Sequence, residues 1–203
     1  NLWFHVDGAY GLAGILAPEL KQLYDGVEHA DSFIVDPHKW LFAPFDACAL
    51  VYREPEYARL AHTQHGEYLE VLNHSGDFNP SDYGFNLTRR VRGLPLWFSM
   101  ASHGAALYRQ AISANVQLAH KIAEEIANRS YLKLVREPQL SVVVFERLGW
   151  ELSDYERWSE KLLSDQFAFV VPSSHQGKPN TRFAIVNPLT KYEDLVKILD
   201  SME

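Results

Sequence analysis

Two charged residues, Asp7 and Lys39, each stand where a short apolar run ends, and this placement constrains the fold more than any other feature. The runs Leu2–Asp7 and Ser32–Asp36 have the composition of buried strands, and Pro18–Tyr24 has the sequence of a helix with proline in its first turn. A strand, a helix and a strand in this order favour two parallel strands joined by a crossover. Because parallel strands end at the same edge of a sheet, we expect Asp7 and Lys39, 32 positions apart (7 to 39), to lie close together.

The residues after Lys39 predict a further strand and then a long loop. Residues 48–52 form another short apolar run bounded by turn-forming residues. Over 61–86, glycine, asparagine, proline and serine interrupt any sustained period, which is typical of a long, mobile loop with a functional role. We assign residues 1–110, including this loop, to one α/β domain with a mostly parallel sheet.

The remaining residues predict a second, smaller domain. Apolar residues recur at three- and four-residue spacing from Ile112 to Ile126 and predict a long amphipathic helix. The last third then alternates between strand-like runs and helical patterns, at 132–135, 141–145 and 182–186 for strands and at 154–163 and 192–199 for helices. We therefore expect residues 111–203 to form a small α+β domain.

Bulk properties exclude several classes of function. A net charge of −7 and a pI near 5.7 provide no broad basic surface for nucleic acid or anionic lipid. No apolar run approaches the roughly 20 residues that span a bilayer, so we expect a cytoplasmic protein without a membrane segment. The single cysteine, Cys48, lies in an apolar run and is expected to be a buried, inert thiol. Because the sequence starts directly at a strand, we expect a missing N-terminal half.

Lys39 has two possible interpretations, and the position of Asp7 decides which of them is favoured. A lysine in a turn is ordinarily a solvated surface residue. A carboxylate at a neighbouring strand end adds what pyridoxal 5′-phosphate (PLP) requires, because the cofactor needs a lysine amine for its aldehyde and a carboxylate that keeps its pyridine nitrogen protonated. The amine reacts only when neutral, so burial and nearby charge would have to lower the pKa of Lys39.

Three ordered motifs carry a family resemblance. HVDGAYG (5–11), ADSFIVDPHKWL (30–41) and FDACALVY (45–52) resemble the cofactor core of the group II PLP-dependent decarboxylases, the family of aromatic-L-amino-acid decarboxylase. Further matches lie at residues 67–69, 87–92, 96–98 and 182–187. The resemblance implies the PLP-dependent transferase fold of type I, which is aspartate-aminotransferase-like, with a partial large domain and a C-terminal small domain.

The resemblance also implies roles for residues around the cofactor. Lys39 would form the Schiff base with PLP, and Asp7 would pair with the pyridine nitrogen. Ala9 would lie against one face of the ring. His38 would contact the phosphate, and Asp36 stands where animal aromatic decarboxylases have an asparagine near that phosphate.

Two more residues are implied to act from a loop and from a neighbouring subunit. Tyr68 matches the tyrosine of the family's mobile catalytic loop and would protonate the substrate carbon after carbon dioxide leaves; otherwise it is a packing residue. Thr88 matches a position that approaches the phosphate of the neighbouring subunit, which implies a homodimer. As an alternative or additional role, Thr88 would be the N-cap of a helix that starts at Arg89.

The implied reaction is decarboxylation of a small-molecule L-amino acid, which we expect to be aromatic, to an amine and carbon dioxide. One alternative is an aldehyde-forming oxidative decarboxylase on the same scaffold, although that outcome is associated with phenylalanine at the position of Tyr68. Another is an inactive fragment that needs its N-terminal half to complete the site.

Two clusters of side chains have weaker interpretations. His62, His65 and His74 suggest a metal site, but no carboxylate or cysteine spacing completes it, so no metal is expected. Arg89, Arg90 and Arg92 would bind phosphate or, more simply, form ion pairs at a subunit interface.

Overall fold

The computed structural model of the chain describes residues 2–64 and 78–203, which divide into two compact units. The first unit comprises residues 1–15 and 21–104, and the second comprises residues 16–20 and 105–203. The helix Gly93–Ala127 contains the division, and at Gly104 a φ of 73° interrupts its helical geometry. The boundary expected between residues 110 and 111 lies in the same helix.

A three-stranded sheet of order β1-β2-β3 organises the first unit. Its strands are β1 (His5–Asp7), β2 (Ser32–Val35) and β3 (Ala49–Tyr52). The pair β1 and β2 is parallel, as expected, whereas β3 joins β2 antiparallel, so the expected parallel character holds for one of the two pairings. The link between β2 and β3 contains only the short helix α1 (Pro37–Trp40), and a parallel return would need a helix long enough to cross the sheet.

The first strand differs from the expectation of a buried run over 2–7. β1 has only three residues, and both His5 and Asp7 are exposed. In the described sheet it forms the edge, so β2 is the strand that pairs with it. An apolar composition alone does not separate an edge strand from a central one.

The connection between β1 and β2 is helical but not α-helical. It consists of the 3₁₀ segments Gly11–Leu16, Pro18–Tyr24 and Val27–His29, so the helix expected at 18–24 is present in the tighter form.

Helix α2 (Pro55–His62) follows β3 and reaches two residues into the loop expected at 61–86. It packs against the 3₁₀ segment Pro80–Tyr83, where the buried Asp82 carboxylate lies 3.7 Å from the Arg59 guanidinium.

The second unit contains a four-stranded antiparallel sheet of order β4-β5-β7-β6 with three helices. Its elements are α3 (Gly93–Ala127, which begins in the first unit), β4 (Leu132–Leu134), β5 (Val142–Arg147), α4 (Leu152–Ser164), β6 (Pro172–His175), β7 (Lys178–Ala184) and α5 (Tyr192–Asp200). The small α+β domain expected here is confirmed, with β6 as an additional strand.

The apolar stripe of α3 is core, as expected. Ile112, Ile122 and Ile126 are fully buried, and the last two pack in one cluster with Phe145 and Leu199. Burial of each such side chain contributes roughly 1.5–3 kcal/mol before the cost of chain ordering. The second unit therefore has a continuous hydrophobic core of its own.

Candidate active site

The carboxyl ends of β1 and β2 bring the expected residues to one edge of the sheet. The parallel register sets Asp7 opposite Ile34, and the Asp36 amide donates a 2.9 Å hydrogen bond to the carbonyl of Ala9. This bond fastens the turn after β1 to the start of α1. Asp7 and Lys39 thus lie at the same edge of the sheet, near enough for the Asp7 charge to act on the Lys39 amine, as their spacing predicted.

Helix α1 places the Lys39 backbone. Pro37 stands in its first turn, where a missing amide hydrogen costs nothing, and the Lys39 amide donates to the Asp36 carbonyl at 2.9 Å. The next residue, Trp40, is fully buried and stacks on Tyr10 with ring centroids 5.0 Å apart. This stacking holds the lysine-bearing turn against the segment that follows Asp7.

The Lys39 amine forms an ion pair rather than lying in an apolar pocket. Its Nζ is 2.9 Å from Asp36 Oδ2, and the Lys39 side chain is 44% exposed while that of Asp36 is 14% exposed. The hydrogen bond to Asp36 is the main reason that the pKa of Lys39 is raised, and the negative charges of Asp36 and Asp7 add to the effect. The expectation that burial lowers this pKa is wrong for the described chain, because the hydrogen bond to Asp36 outweighs the effect of desolvation.

Asp36 is ionised in this arrangement. Partial burial acts to raise its pKa, but hydrogen bonds from Lys39 and from the Cys48 thiol outweigh that effect and leave the pKa below its ordinary value. A bare carboxylate near a phosphate would repel it, and in this arrangement the Asp36 charge is balanced by the Lys39 ammonium.

Cys48 lies beside this pair and not in the core. The residue is exposed, so the expectation of a buried cysteine is wrong: Cys48 precedes β3 at the edge of the sheet that carries the site. Desolvation of the thiol and its hydrogen bond to Asp36 raise the pKa of Cys48 to about 11. The thiol is therefore protonated at neutral pH and a poor nucleophile.

Asp7 is held by the turn that follows it. Its Oδ1 accepts a 3.1 Å hydrogen bond from the Ala9 amide, and the residue is otherwise exposed. Gly8 between them is buried, and a Cβ there would lie 2.4 Å from the Leu12 Cβ and 2.8 Å from the Ile34 carbonyl oxygen. The backbone around Gly8 is therefore tightly packed, while the Asp7 carboxylate stays accessible.

His38 is half-buried and engaged on one side. Its Nδ1 lies 2.6 Å from the carbonyl oxygen and 3.1 Å from the amide nitrogen of Ala47, and its ring meets Phe45 edge to face. The ring orientation is thus fixed by the backbone before β3, which leaves Nε2 as the nitrogen that could face an anion.

Two of the three arginines singled out in the sequence share a carboxylate partner that the sequence did not reveal. Arg90 and Arg92 both pair with Asp46, the Arg92 Nε at 3.2 Å from Oδ1. Desolvation acts to raise the pKa of Asp46, but the hydrogen bonds from Arg92 and from the Asp46 backbone and the charges of the two arginines together lower that pKa. Arg90 and Arg92 therefore form ion pairs inside this chain, whereas Arg89 donates to the carbonyls of Pro80 and Asn86. Three arginines in four residues do not reveal a partner 44 residues before Arg90.

Thr88 is exposed and lies five residues before the first residue of α3, Gly93. The N-cap interpretation is therefore wrong, because the helix does not start at Arg89. The implied role near a neighbouring subunit is a separate matter and stays a prediction.

The remaining predictions concern Tyr68, the loop histidines and membrane segments. Tyr68, His65 and His74 lie outside the described residues. Within residues 2–64 and 78–203 no three or more His, Cys, Asp or Glu side chains cluster as metal ligands. In the same residues no helix combines the length and the apolar character needed to cross a membrane.

The donor set at the strand ends fits PLP. An accessible amine, an accessible carboxylate that already acts electrostatically on that amine, and the small side chain of Ala9 next to the carboxylate would suit the aldehyde, the ring nitrogen and the ring face. His38 would be the phosphate contact from this chain.

Comparisons with known proteins agree with this arrangement. Residues 1–148 match the pyridoxal-dependent decarboxylase conserved domain. The chain is 30% identical to an aromatic-L-amino-acid decarboxylase of Bacillus atrophaeus over 98% of its own length and 43% of that protein, and 28% identical to a phenylacetaldehyde synthase of Petunia hybrida over 95% and 41%. It thus spans less than half the length of these relatives.

The structural comparison supports the expected fold. The chain superposes on TDC of Oryza sativa, solved with PLP and tryptamine, with a TM-score of 0.86 and 25% identity, over 98% of this chain and 44% of the other. The type I fold of PLP-dependent decarboxylases is thereby confirmed. With Asp7 and Lys39 at one edge of the sheet, after the ends of two parallel strands, and the conserved domain matched over 1–148, this chain belongs to the pyridoxal-dependent decarboxylase family, a family of carboxy-lyases that use PLP.

Proposed function

We propose that the protein of which this chain is a part removes carbon dioxide from an aromatic L-amino acid and releases the amine. The observation that carries the proposal is the placement of Asp7 and Lys39 at one edge of the sheet, after the ends of parallel β1 and β2, with α1 fixing the lysine backbone. The aromatic preference is supported by the named activity of the Bacillus atrophaeus relative.

The roles of the chain's own residues follow from their positions. Lys39 would hold the cofactor through a Schiff base, and its amine is exposed enough to be reached. Asp7 would accept a hydrogen bond from the ring nitrogen and keep its proton in place, since Ala9 orients the carboxylate through Oδ1. His38 would face the phosphate, and the Ala9 side chain would lie against the ring. When bound, PLP supplies an electron-withdrawing ring that stabilises the charge left on the substrate carbon after carbon dioxide departs.

Tyr68 would complete the reaction by delivering a proton to that carbon. This role rests on the match of residues 67–69 to the catalytic loop of the family, and it belongs to the proposal. General acids in this position typically accelerate a step by about 10² to 10⁴.

The whole protein would contain an upstream part and a second subunit. Trp3 and Phe4 are exposed beside β1, and β1 pairs only with β2 in the described sheet, which suits burial against further chain upstream. The relatives are more than twice as long as this chain, consistent with such a part. We further propose a homodimer in which Thr88 approaches the cofactor phosphate of the neighbouring subunit, with residues 1–110 in the large domain and 111–203 in the small one.

Borohydride reduction and an activity assay over a panel of amino acids together test the proposal. Borohydride reduction of the full-length protein loaded with PLP should attach the cofactor to Lys39, as mapped by peptide mass spectrometry. The same protein should release carbon dioxide from aromatic amino acids, and Lys39→Ala should not. A label on another lysine, or full activity of Lys39→Ala, would contradict the proposal.

An aldehyde product is the second candidate, because the Petunia hybrida relative is a phenylacetaldehyde synthase. The same assay separates the two, since that reaction releases ammonia and aldehyde in place of amine. Tyr68 favours the amine.

A further inference from the structure

The Asp36 carboxylate is held by its surroundings, whereas the amine that it pairs with, that of Lys39, is more exposed. Its backbone amide is bound to Ala9, its carbonyl receives the Lys39 amide, and its side chain is only 14% exposed. The Lys39 side chain is 44% exposed and reaches back to Asp36 across one turn of α1. If the amine left, Asp36 would keep the hydrogen bond from the Cys48 thiol, so the carboxylate would not lose all of its donors.

Several ionisable groups act on the Lys39 amine from the elements around it. Asp36 does so directly from the start of α1, and Asp7 at the end of β1 acts through its charge. The neutral Cys48 thiol before β3 acts through its hydrogen bond to Asp36. His38, the preceding residue on α1, acts on the Asp36 carboxylate. Among the described residues, Asp36 is the group in direct contact with Nζ.

We infer that Asp36 is a positioning residue that keeps Lys39 as an ammonium ion beside its carboxylate and so sets the pH at which the cofactor aldehyde can capture this lysine. Capture requires the neutral amine: the ammonium first loses a proton to solvent, nitrogen adds its lone pair to the aldehyde carbon, and the carbonyl oxygen leaves as water. The ion pair with Asp36 opposes the loss of the proton from the Lys39 ammonium. Asp36 therefore acts through Lys39 and not on the substrate.

The sign of the pH effect follows from the direction of the shift. An ion pair that raises the pKa of Lys39 lowers the neutral fraction at any pH below that value. Removal of the Asp36 charge should therefore move the reactivity of Lys39 to lower pH. Any effect on PLP binding rests on the proposed Schiff base at Lys39. The ionisation of the Lys39 amine does not rest on that proposal.

Trace acetylation measures the ionisation of Lys39 directly. Cofactor-free, full-length protein would be treated with a limiting amount of acetic anhydride over a series of pH values, and acetylation at Lys39 quantified by peptide mass spectrometry, since only the neutral amine reacts. Asp36→Asn keeps the side-chain shape and should shift the labelling midpoint of Lys39 to lower pH. Asp36→Glu should return it towards the wild-type value. The control Asp25→Asn, which removes one exposed negative charge from the same unit, should leave it in place.

A labelling midpoint at Lys39 that does not move in folded Asp36→Asn would overturn the inference. If that variant does not fold, the wild-type sample decides: the midpoint at Lys39 must lie above those at the exposed lysines Lys21 and Lys178, and an equal or lower midpoint overturns it. Loss of decarboxylase activity on the substrate panel would contradict the proposed function and leave this measurement unchanged, so the two can fail separately.

Discussion

Asp7 and Asp36 both act on Lys39, but their surroundings suit them to different tasks. Asp7 is exposed, and one of its oxygens is used by the Ala9 amide, which leaves the carboxylate oriented and reachable. Asp36 is mostly shielded and already paired with the lysine. A ring nitrogen that needs a carboxylate would therefore find it in Asp7, and the amine would find its counter-ion in Asp36.

The first prediction concerns this division. Asp7→Asn should lower decarboxylation by roughly 10² or more, because a neutral amide does not hold the ring nitrogen protonated. Cofactor absorbance should show that PLP is still bound, and Asp25→Asn should keep wild-type turnover. Near wild-type turnover of Asp7→Asn would remove Asp7 from its proposed role.

Tyr68 carries the second prediction. Tyr68→Phe removes only the hydroxyl, so cofactor binding should be unchanged while amine formation slows by about 10² to 10⁴. The ratio of amine to aldehyde, measured by chromatography with ammonia detection, should fall because the unprotonated carbon has time to react with oxygen. The control is Tyr83→Phe, a tyrosine of the described 3₁₀ segment Pro80–Tyr83 near the end of the same predicted loop. Unchanged amine output in Tyr68→Phe would leave Tyr68 as a packing residue.

At the scale of secondary structure, the closeness of β1 and β2 depends on Gly8. A Cβ at this position would approach the Leu12 Cβ to 2.4 Å and the Ile34 carbonyl to 2.8 Å, and backbone cannot move aside as a flexible side chain can. The sheet edge that positions Asp7 is thus adapted to the absence of a side chain.

The third prediction tests this packing. Gly8→Ala should destabilise the full-length protein by about 1–3 kcal/mol, as overpacking of a close contact typically does. Gly93→Ala is the matched control, because a Cβ at Gly93 would meet nothing within 4 Å. Urea unfolding of both variants provides the measurement, and equal midpoints would show that the strands separate enough to accept alanine.

Elements with a clear period could be predicted from the sequence, and short or irregular ones could not. The stripe from Ile112 to Ile126 predicted its helix because it repeats over four turns. The four-residue α1 has no room for a period, although Pro37 in its first turn marks its start. β6 was missed because Pro172–His175 is mostly polar, and its pairing with β7 supplies the order that its composition does not.

The candidate site also has features that could be predicted from the sequence and features that could not. The placement of Asp7 and Lys39 followed from two strand ends and one crossover, which are local features. The Asp36–Lys39 ion pair spans three residues and could have been suspected from helical spacing, but the competition between burial and charge at Lys39 depends on exposure, which the sequence does not provide. The pairing of Asp46 with Arg90 and Arg92 joins segments that only folding brings together.

At the scale of the whole molecule, the two units differ in how fully each encloses its own apolar side chains. The second unit has a continuous core around Phe145 and Leu199. The exposed apolar residues of the first unit include Trp3 and Phe4 before β1, Val51 on β3, and Trp97 and Phe98 at the start of α3. Exposed patches of this kind indicate surfaces that other chain segments or subunits cover. We therefore expect the first unit, which carries Lys39, to be the one that further chain or a second subunit covers.

The fourth prediction is that full-length subunits form a homodimer in which Thr88 of one subunit completes the site that holds Lys39 of the other. Two variants test this: Lys39→Ala, and Thr88→Asp, whose charge would repel a phosphate. Each should be inactive alone. In a mixed dimer, one site would combine both changes, and the other would have Lys39 and Thr88 intact. Co-expression of the two should therefore restore activity to about a quarter of the wild-type sites, as random pairing in a two-fold dimer gives.

The mixed dimer separates the two possible geometries because they predict opposite results. If Thr88 served its own subunit, every site in the mixture would contain one defect, and no activity would return. Thr88→Ser keeps the hydroxyl and should be active alone, which checks that position 88 tolerates change, and light scattering should show dimers for all variants. An active monomer would exclude the shared site, whereas recovery in the mixture would require that Thr88, exposed in this chain, faces a phosphate held by its neighbour.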